Sequence, residues 1–106
     1  GERLDFFKLS QITFERPDLE TFYGLKLAMW AGREGGTLPT VLNAANERAV
    51  ALFLERKIKY LAITDLIAEC MERHKNIENP SLEDILATER ETYEYVDTRV
   101  KRGPQY

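Results

Sequence analysis

The stretch Val41–Val50, with the sequence VLNAANERAV, combines the apolar spacing of a helix with an interruption by polar residues. Residues three and four positions apart lie on one side of an α-helix. The apolar residues that share one stripe by this spacing are Leu42, Ala45, Ala49 and Phe53, with Val50 and Leu52 widening it. The stretch therefore predicts an amphipathic helix whose apolar side faces a core.

The ends of this helix are also marked in the sequence. Pro39 suits the first turn, where its missing N–H needs no partner, and Thr37 or Leu38 then stands at the cap. We expect the helix to begin near Pro39 and to end near Lys57.

A helix should precede it, because Gly35 and Gly36 supply the left-handed backbone that ends helices without steric cost. We expect this first helix to run from about Leu19 or Thr21 to Glu34. Its core candidates are Phe22, Leu25, Leu27 or Ala28, and Met29.

Two further helices follow the same rules. A third is expected from Ile63 to His74, since cations near its end suit a helix C-terminus. A fourth begins at Ser81-Leu82-Glu83-Asp84, which resembles a capping box with Asp in place of the usual Glu or Gln. The predicted inner residues are Leu66, Ile67, Cys70 and Met71 in the third helix, and Leu82, Ile85, Leu86, Tyr93 and Val96 in the fourth.

Four amphipathic helices with short connections predict an all-α fold, a small four-helix bundle-like domain preceded by an extended N-terminal arm. We divide the chain into an extended arm at residues 1–18, a helical bundle at 19–100 and a tail at 101–106. Leu4–Phe14 alternates apolar and polar residues in places, as a short strand does, and Pro17 disfavours helical backbone in the residue before it.

Charge and composition exclude several classes of function. The 106 residues carry a formal net charge of −3, which argues against a nucleic-acid binder. The longest apolar run, Ala49–Leu54, is far shorter than the roughly 20 residues that cross a bilayer, so we expect no membrane span. The single cysteine, Cys70, cannot form an internal disulfide and suits a cytoplasmic location.

Catalytic motifs are missing as well. The only histidine, His74, lacks the Glu three positions before it that a carboxylate-bridged metal bundle would require. Cys70 and His74 lie one helical turn apart, but no third group or oxyanion site accompanies them. Gly35 and Gly36 belong to neither glycine-rich phosphate-binding motif. We therefore assign no catalytic, cofactor-binding or metal-binding residue to this chain.

The polar interruption of the second helix remains to be explained. Asn43, Asn46 and Glu47 are spaced so that they form one polar patch beside the apolar stripe. Asparagine disfavours helix interiors, so the pair implies a hydrogen-bonding role, either to a ligand or to a neighbouring loop. We favour a structural patch that braces a loop over a ligand site, because no histidine is close in sequence.

Three blocks of the sequence resemble one enzyme family. LDFFKLSQITFERPD, LKLAMWAGREGGTLPTVLNAANERAVALFLERKIKYLAI and PSLEDIL are similar to the C-terminal end of 1-deoxy-D-xylulose 5-phosphate reductoisomerases, in unbroken order from about Leu4 to Val96. The resemblance implies an isoprenoid-pathway oxidoreductase that rearranges its sugar phosphate and reduces the product with NADPH and Mg²⁺ or Mn²⁺. It also implies a homodimer whose upstream domains hold both cofactors.

By this resemblance the chain corresponds to the linker and the C-terminal bundle alone. We expect a structural domain that supports catalysis in the full-length enzyme, has the remainder of the same chain as its partner, and is inactive by itself. The alternative is a stand-alone helical protein-interaction domain. The arm would be covered by upstream domains in the full enzyme, so in isolation we expect it to fold back or, preferentially, to exchange between copies about the stiff Pro17.

Overall fold

The structure, a computed structural model, describes the backbone of residues 16–102 and the side chains of residues 21–102. These residues form four helices and no strand, which confirms the predicted all-α class. The helices are α1 (Arg16–Glu34), α2 (Leu38–Leu54), α3 (Ala62–Arg73) and α4 (Leu82–Arg102). The predicted arm at Leu4–Phe14 and the end of the tail lie outside the described residues.

The observed helix bounds differ from the predicted ones by a few residues. α1 begins at Arg16, before the expected Leu19 or Thr21, with Pro17 in a first turn where no N–H is required. α2 ends at Leu54 because Arg56 adopts left-handed backbone with φ 63°. The N–H groups of Arg56 and Lys57 then bond the carbonyls of Phe53 and Leu52, the pattern of a Schellman motif.

The start of α4 matches the predicted capping box. The Ser81 N–H donates to Asp84 Oδ2 at 3.0 Å, and the Asp84 N–H donates to Ser81 Oγ at 3.0 Å. Each side chain thus satisfies a backbone donor that the first helical turn leaves without a partner.

α2 is the centre of the bundle, because its contacts with each of the other three helices are more extensive than any that those three make with one another. Its buried face consists mainly of small residues, including Ala45 and Ala49, which are fully covered and let neighbouring helices approach closely. Leu66 and Met71 of α3 fill the centre of the core. Replacing a buried leucine such as Leu66 by alanine would cost about 2–5 kcal/mol.

The predicted core of α3 is confirmed, and that of α2 is confirmed at Ala45 and Ala49. The larger predicted residues of α2 are half-buried against the core: Leu42, Val50, Leu52 and Phe53. The predictions for α1 and α4 were wrong at four residues that are exposed: Leu25, Met29, Leu82 and Leu86. The prediction is confirmed at Leu27 on α1 and at Val96 on α4, and the residues that also turn inward are Ala31 on α1 and Thr88 and Thr92 on α4.

Two threonines can replace the expected leucines inside α4 because one satisfies its own polar group. The Thr92 hydroxyl donates to the carbonyl oxygen of Thr88 at 2.8 Å, one turn earlier in the same helix. The hydroxyl therefore needs no partner from α2 or α3.

Candidate functional site

The polar patch predicted from the sequence lies on the outside of α2. Asn43, Asn46 and Glu47 are all exposed. Within the part of the chain that the structure describes, neither asparagine side chain takes part in a hydrogen bond. A loop braced by these two amides is therefore not among residues 16–102.

Glu47 does have a partner, which joins α2 to α4. The Tyr93 phenol donates a hydrogen bond to Glu47 Oε1, and this bond is the main cause that raises the pKa of Tyr93 to about 12. The Arg48 guanidinium lies 4.6 Å from the centre of the Tyr93 ring, while its Nε is 3.7 Å from Asp97 Oδ1. The two helices are thus tied by one hydrogen bond, one cation–π contact and one exposed ion pair.

A surface groove of about 300 Å³ opens beside these contacts, lined by Glu47, Arg48, Ala51 and Tyr93. Both charged side chains in the groove already have partners, and none of the four residues is a ready nucleophile. The groove is thus lined by polar side chains that already contact one another.

A second polar cluster, which the sequence did not reveal, lies where α2 begins. Thr37 is fully buried, and its hydroxyl accepts the Ile77 N–H at 3.0 Å and lies 2.7 Å from His74 Nε2. Asn76 Oδ1 accepts the N–H groups of Thr37 and Leu38, both at 2.9 Å. Asn76 from the α3–α4 loop thus caps α2, a role that the Thr37 side chain does not perform.

Gly36 completes this junction. Its backbone has φ 64°, and a Cβ atom there would lie 2.4 Å from the Ile77 carbonyl oxygen. Only glycine fits, because both the left-handed backbone and the close approach of the α3–α4 loop exclude a side chain. The sequence predicted this glycine as a helix stop and gave no signal of its tertiary contact.

The Cys70 and His74 pair is not built for nucleophilic catalysis. Cys70 is buried, and burial is the main cause that raises its thiol pKa to about 12, so the thiolate is scarce at neutral pH. His74 is the capping residue directly after α3, at the helix end as predicted, and its Nε2 faces Thr37. Burial lowers the pKa of His74, against the opposing effect of Glu91.

The described residues also do not fit the two cofactors that the resemblance implies. Across residues 16–102, no three or more His, Cys, Asp or Glu side chains are grouped as a metal ion would require. The N-terminus of α2 could attract a phosphate, but Asn76 already occupies its N–H groups. In the same residues, no helix combines the length and apolarity needed to cross a membrane.

Comparison with known proteins identifies the family of this chain. Residues 1–95 match the family described as the DXP reductoisomerase C-terminal domain. The chain belongs to this family. The resemblance found in the sequence is therefore confirmed, and no solved structure matches the chain.

The relatives are longer proteins, each named 1-deoxy-D-xylulose 5-phosphate reductoisomerase. The one from Agathobacter rectalis is 62% identical over 99 residues, which are 93% of this chain and 26% of the relative. The one from Lachnospira eligens is 55% identical over 98 residues, which are 92% of this chain and 26% of the relative. The one from Caldanaerobacter subterraneus subsp. tengcongensis is 54% identical over 93 residues, 88% of this chain and 24% of the relative. The chain thus spans about a quarter of the length of its curated relatives.

Proposed function

We propose that this chain is the C-terminal support domain of a 1-deoxy-D-xylulose 5-phosphate reductoisomerase and carries none of the enzyme's catalytic groups. The observation that carries the proposal is the family match over residues 1–95 of this chain. The matched segment makes up only about a quarter of the relatives' length. The buried Cys70, whose thiol pKa is raised to about 12, and the solvent-facing polar patch are compatible with this proposal.

The rest of the enzyme would supply the chemistry. In this proposal the upstream residues bind NADPH and Mg²⁺ or Mn²⁺, rearrange 1-deoxy-D-xylulose 5-phosphate and reduce the product, and the full-length enzyme acts as a homodimer in the cytoplasm. The remainder of the same polypeptide is then the domain's partner.

The domain is suited to support because hydrogen bonds join its helices to one another. The buried Thr37 junction ties the start of α2 to the loop between α3 and α4. The Tyr95 phenol donates to the Glu69 carboxylate, and Arg99 Nε lies 2.9 Å from the same oxygen, which ties α3 to α4. A bundle fixed in this way can hold the segments packed against it in one orientation.

The test is an assay of the purified 106-residue chain with 1-deoxy-D-xylulose 5-phosphate, NADPH and Mg²⁺. We expect no NADPH oxidation, whereas a full-length reductoisomerase in the same buffer should oxidise NADPH readily. Metal-dependent turnover by the pure chain would overturn the proposal. The natural open reading frame separates the proposal from the stand-alone interaction domain, because only the reductoisomerase requires a long coding segment upstream of residue 1.

A further inference from the structure

We propose that the outer surface of α2 and α4 is the docking surface for the upstream part of the same polypeptide. We call this surface the α2–α4 face, and its defining residues are Asn43, Asn46, Glu47, Leu82, Leu86 and Tyr93. The inference rests on the proposed function, because it names the surface by which the support domain would contact the catalytic part of the enzyme.

The residues of the α2–α4 face lie on two helices that pack against each other. Leu82, Leu86 and Tyr93 are separated by four and seven positions, so they lie on one side of α4. Asn43 and Glu47 are four positions apart on α2. The hydrogen bond from Tyr93 to Glu47 joins the two rows into one surface.

The apolar part of this face is open to solvent. The exposed fraction is 70% for Leu82 and 50% for Leu86, although both belong to a helix that buries threonines on its inner side. A helix that turns leucines outward and threonines inward has its larger apolar residues available for a second contact. The pattern of α4 is thus explained when another segment covers Leu82 and Leu86.

The polar part of the face gives the same indication. Asn43 and Asn46 weaken a helix interior and bond no described residue in return. Their amides are suited to pair with backbone groups of a segment that crosses α2. A surface that mixes leucines with amides and charges has the composition of interfaces between domains of one chain.

The length of the relatives identifies the occupant. The family is described as a C-terminal domain, and about three quarters of each relative's length falls outside the matched segment. That upstream chain must contact the bundle if the bundle supports it. It is therefore expected to present apolar side chains to Leu82 and Leu86 and backbone groups to Asn43 and Asn46.

α1 offers a matched comparison, since Met29 is 63% exposed and Leu25 is 42% exposed. Within the described residues α1 packs against α2 and α3 and does not contact α4, so a change at Met29 leaves the α2–α4 face unaltered. The outer side of α1 also lacks a pair of mid-helix asparagines. We therefore choose Met29→Glu as the control for Leu86→Glu.

The experiment uses a full-length reductoisomerase that contains this domain, and measures hydrogen exchange of the α2 and α4 amides. Leu86→Glu should weaken docking at least about tenfold, because a lost leucine contact is worth a factor of that size, and exchange should rise accordingly. Met29→Glu should leave exchange in α2 and α4 unchanged. In the 106-residue chain alone, both variants should match the parent's thermal stability, since both residues are exposed.

The proposal is overturned if Leu86→Glu does not raise exchange in the full-length enzyme, or if Met29→Glu raises it as much. It is also overturned if the 106-residue chain self-associates through this face, shown by light scattering in which Leu86→Glu alone restores the monomer. Deleting the whole bundle distinguishes a failure of the proposed function from a failure of the docking surface. Undiminished activity after deletion would contradict the proposed function, whereas lost activity together with a silent Leu86→Glu would contradict only the docking surface.

Discussion

Replacing Thr37 by valine tests the junction that fixes the start of α2. Valine keeps the shape of threonine and removes only the hydroxyl, which accepts the Ile77 N–H at 3.0 Å and lies 2.7 Å from His74 Nε2. No solvent reaches Thr37, so water cannot replace the hydroxyl at that position. The Thr37 hydroxyl also donates to Asn76 Oδ1 at 3.2 Å, but the Asn76 cap should stay in place, because Oδ1 keeps its bonds to the backbone N–H groups of Thr37 and Leu38.

Three groups lose the Thr37 hydroxyl in this variant, but Asn76 Oδ1 keeps two other donors, so only the Ile77 N–H and His74 Nε2 are left without this partner. A buried polar group left without a partner costs about 1–3 kcal/mol, and the lower end applies here because both groups are only partly buried. We therefore expect Thr37→Val to lower the free energy of unfolding by about 2 kcal/mol. For a domain of this size the melting temperature should fall by about 10 °C.

Circular dichroism during thermal and urea unfolding of the 106-residue chain measures this loss. Thr98→Val is the matched control, because Thr98 is exposed on α4 and its replacement should change stability by less than about 0.5 kcal/mol. If Thr37→Val proves as stable as the control variant, the junction does not stabilise the bundle and the reasoning fails.

Three further predictions use the same chain. Gly36→Ala should cost at least about 2 kcal/mol more than Gly35→Ala, since both have positive φ but only a Cβ at position 36 meets the neighbouring loop; equal melting temperatures would contradict this. Burial lowers the pKa of His74, so the unfolded chain binds its proton first, and stability should fall as pH drops below the ordinary value of 6.5. Urea unfolding midpoints measured across that pH range check this, and the dependence of the midpoint on pH should become weaker in His74→Gln. The same pH dependence in His74→Gln and in the parent chain would refute it. Light scattering should show association of the whole chain but a monomer for a version that starts at Arg16, where α1 begins, and monomers in both cases would rule out arm exchange.

Local signals in the sequence were sufficient for the helices. The glycine pair before α2 and the Ser81 capping box each act on residues within one or two turns, so their effect can be predicted without knowing the fold. The predicted end of α2 was wrong by three residues because a non-glycine residue, Arg56, adopts the left-handed conformation that glycine usually supplies.

Contacts between distant residues could not be predicted in the same way. Thr37 and Asn76 are 39 positions apart, and nothing near either residue indicates that the second caps the helix of the first. The wrong prediction for the two leucines of α4 has a different cause. Their spacing fits an inner face, and only the packing of α2 against the threonine side shows that Leu82 and Leu86 face outward.

The central claim is that the bundle supports a reaction that residues upstream perform. Steady-state NADPH oxidation by the full-length enzyme, with and without the segment that corresponds to residues 16–102, tests it most directly. The account predicts that removing the segment abolishes most of the activity, while the purified bundle alone shows none. Full activity in the shortened enzyme, or turnover by the bundle itself, would contradict it.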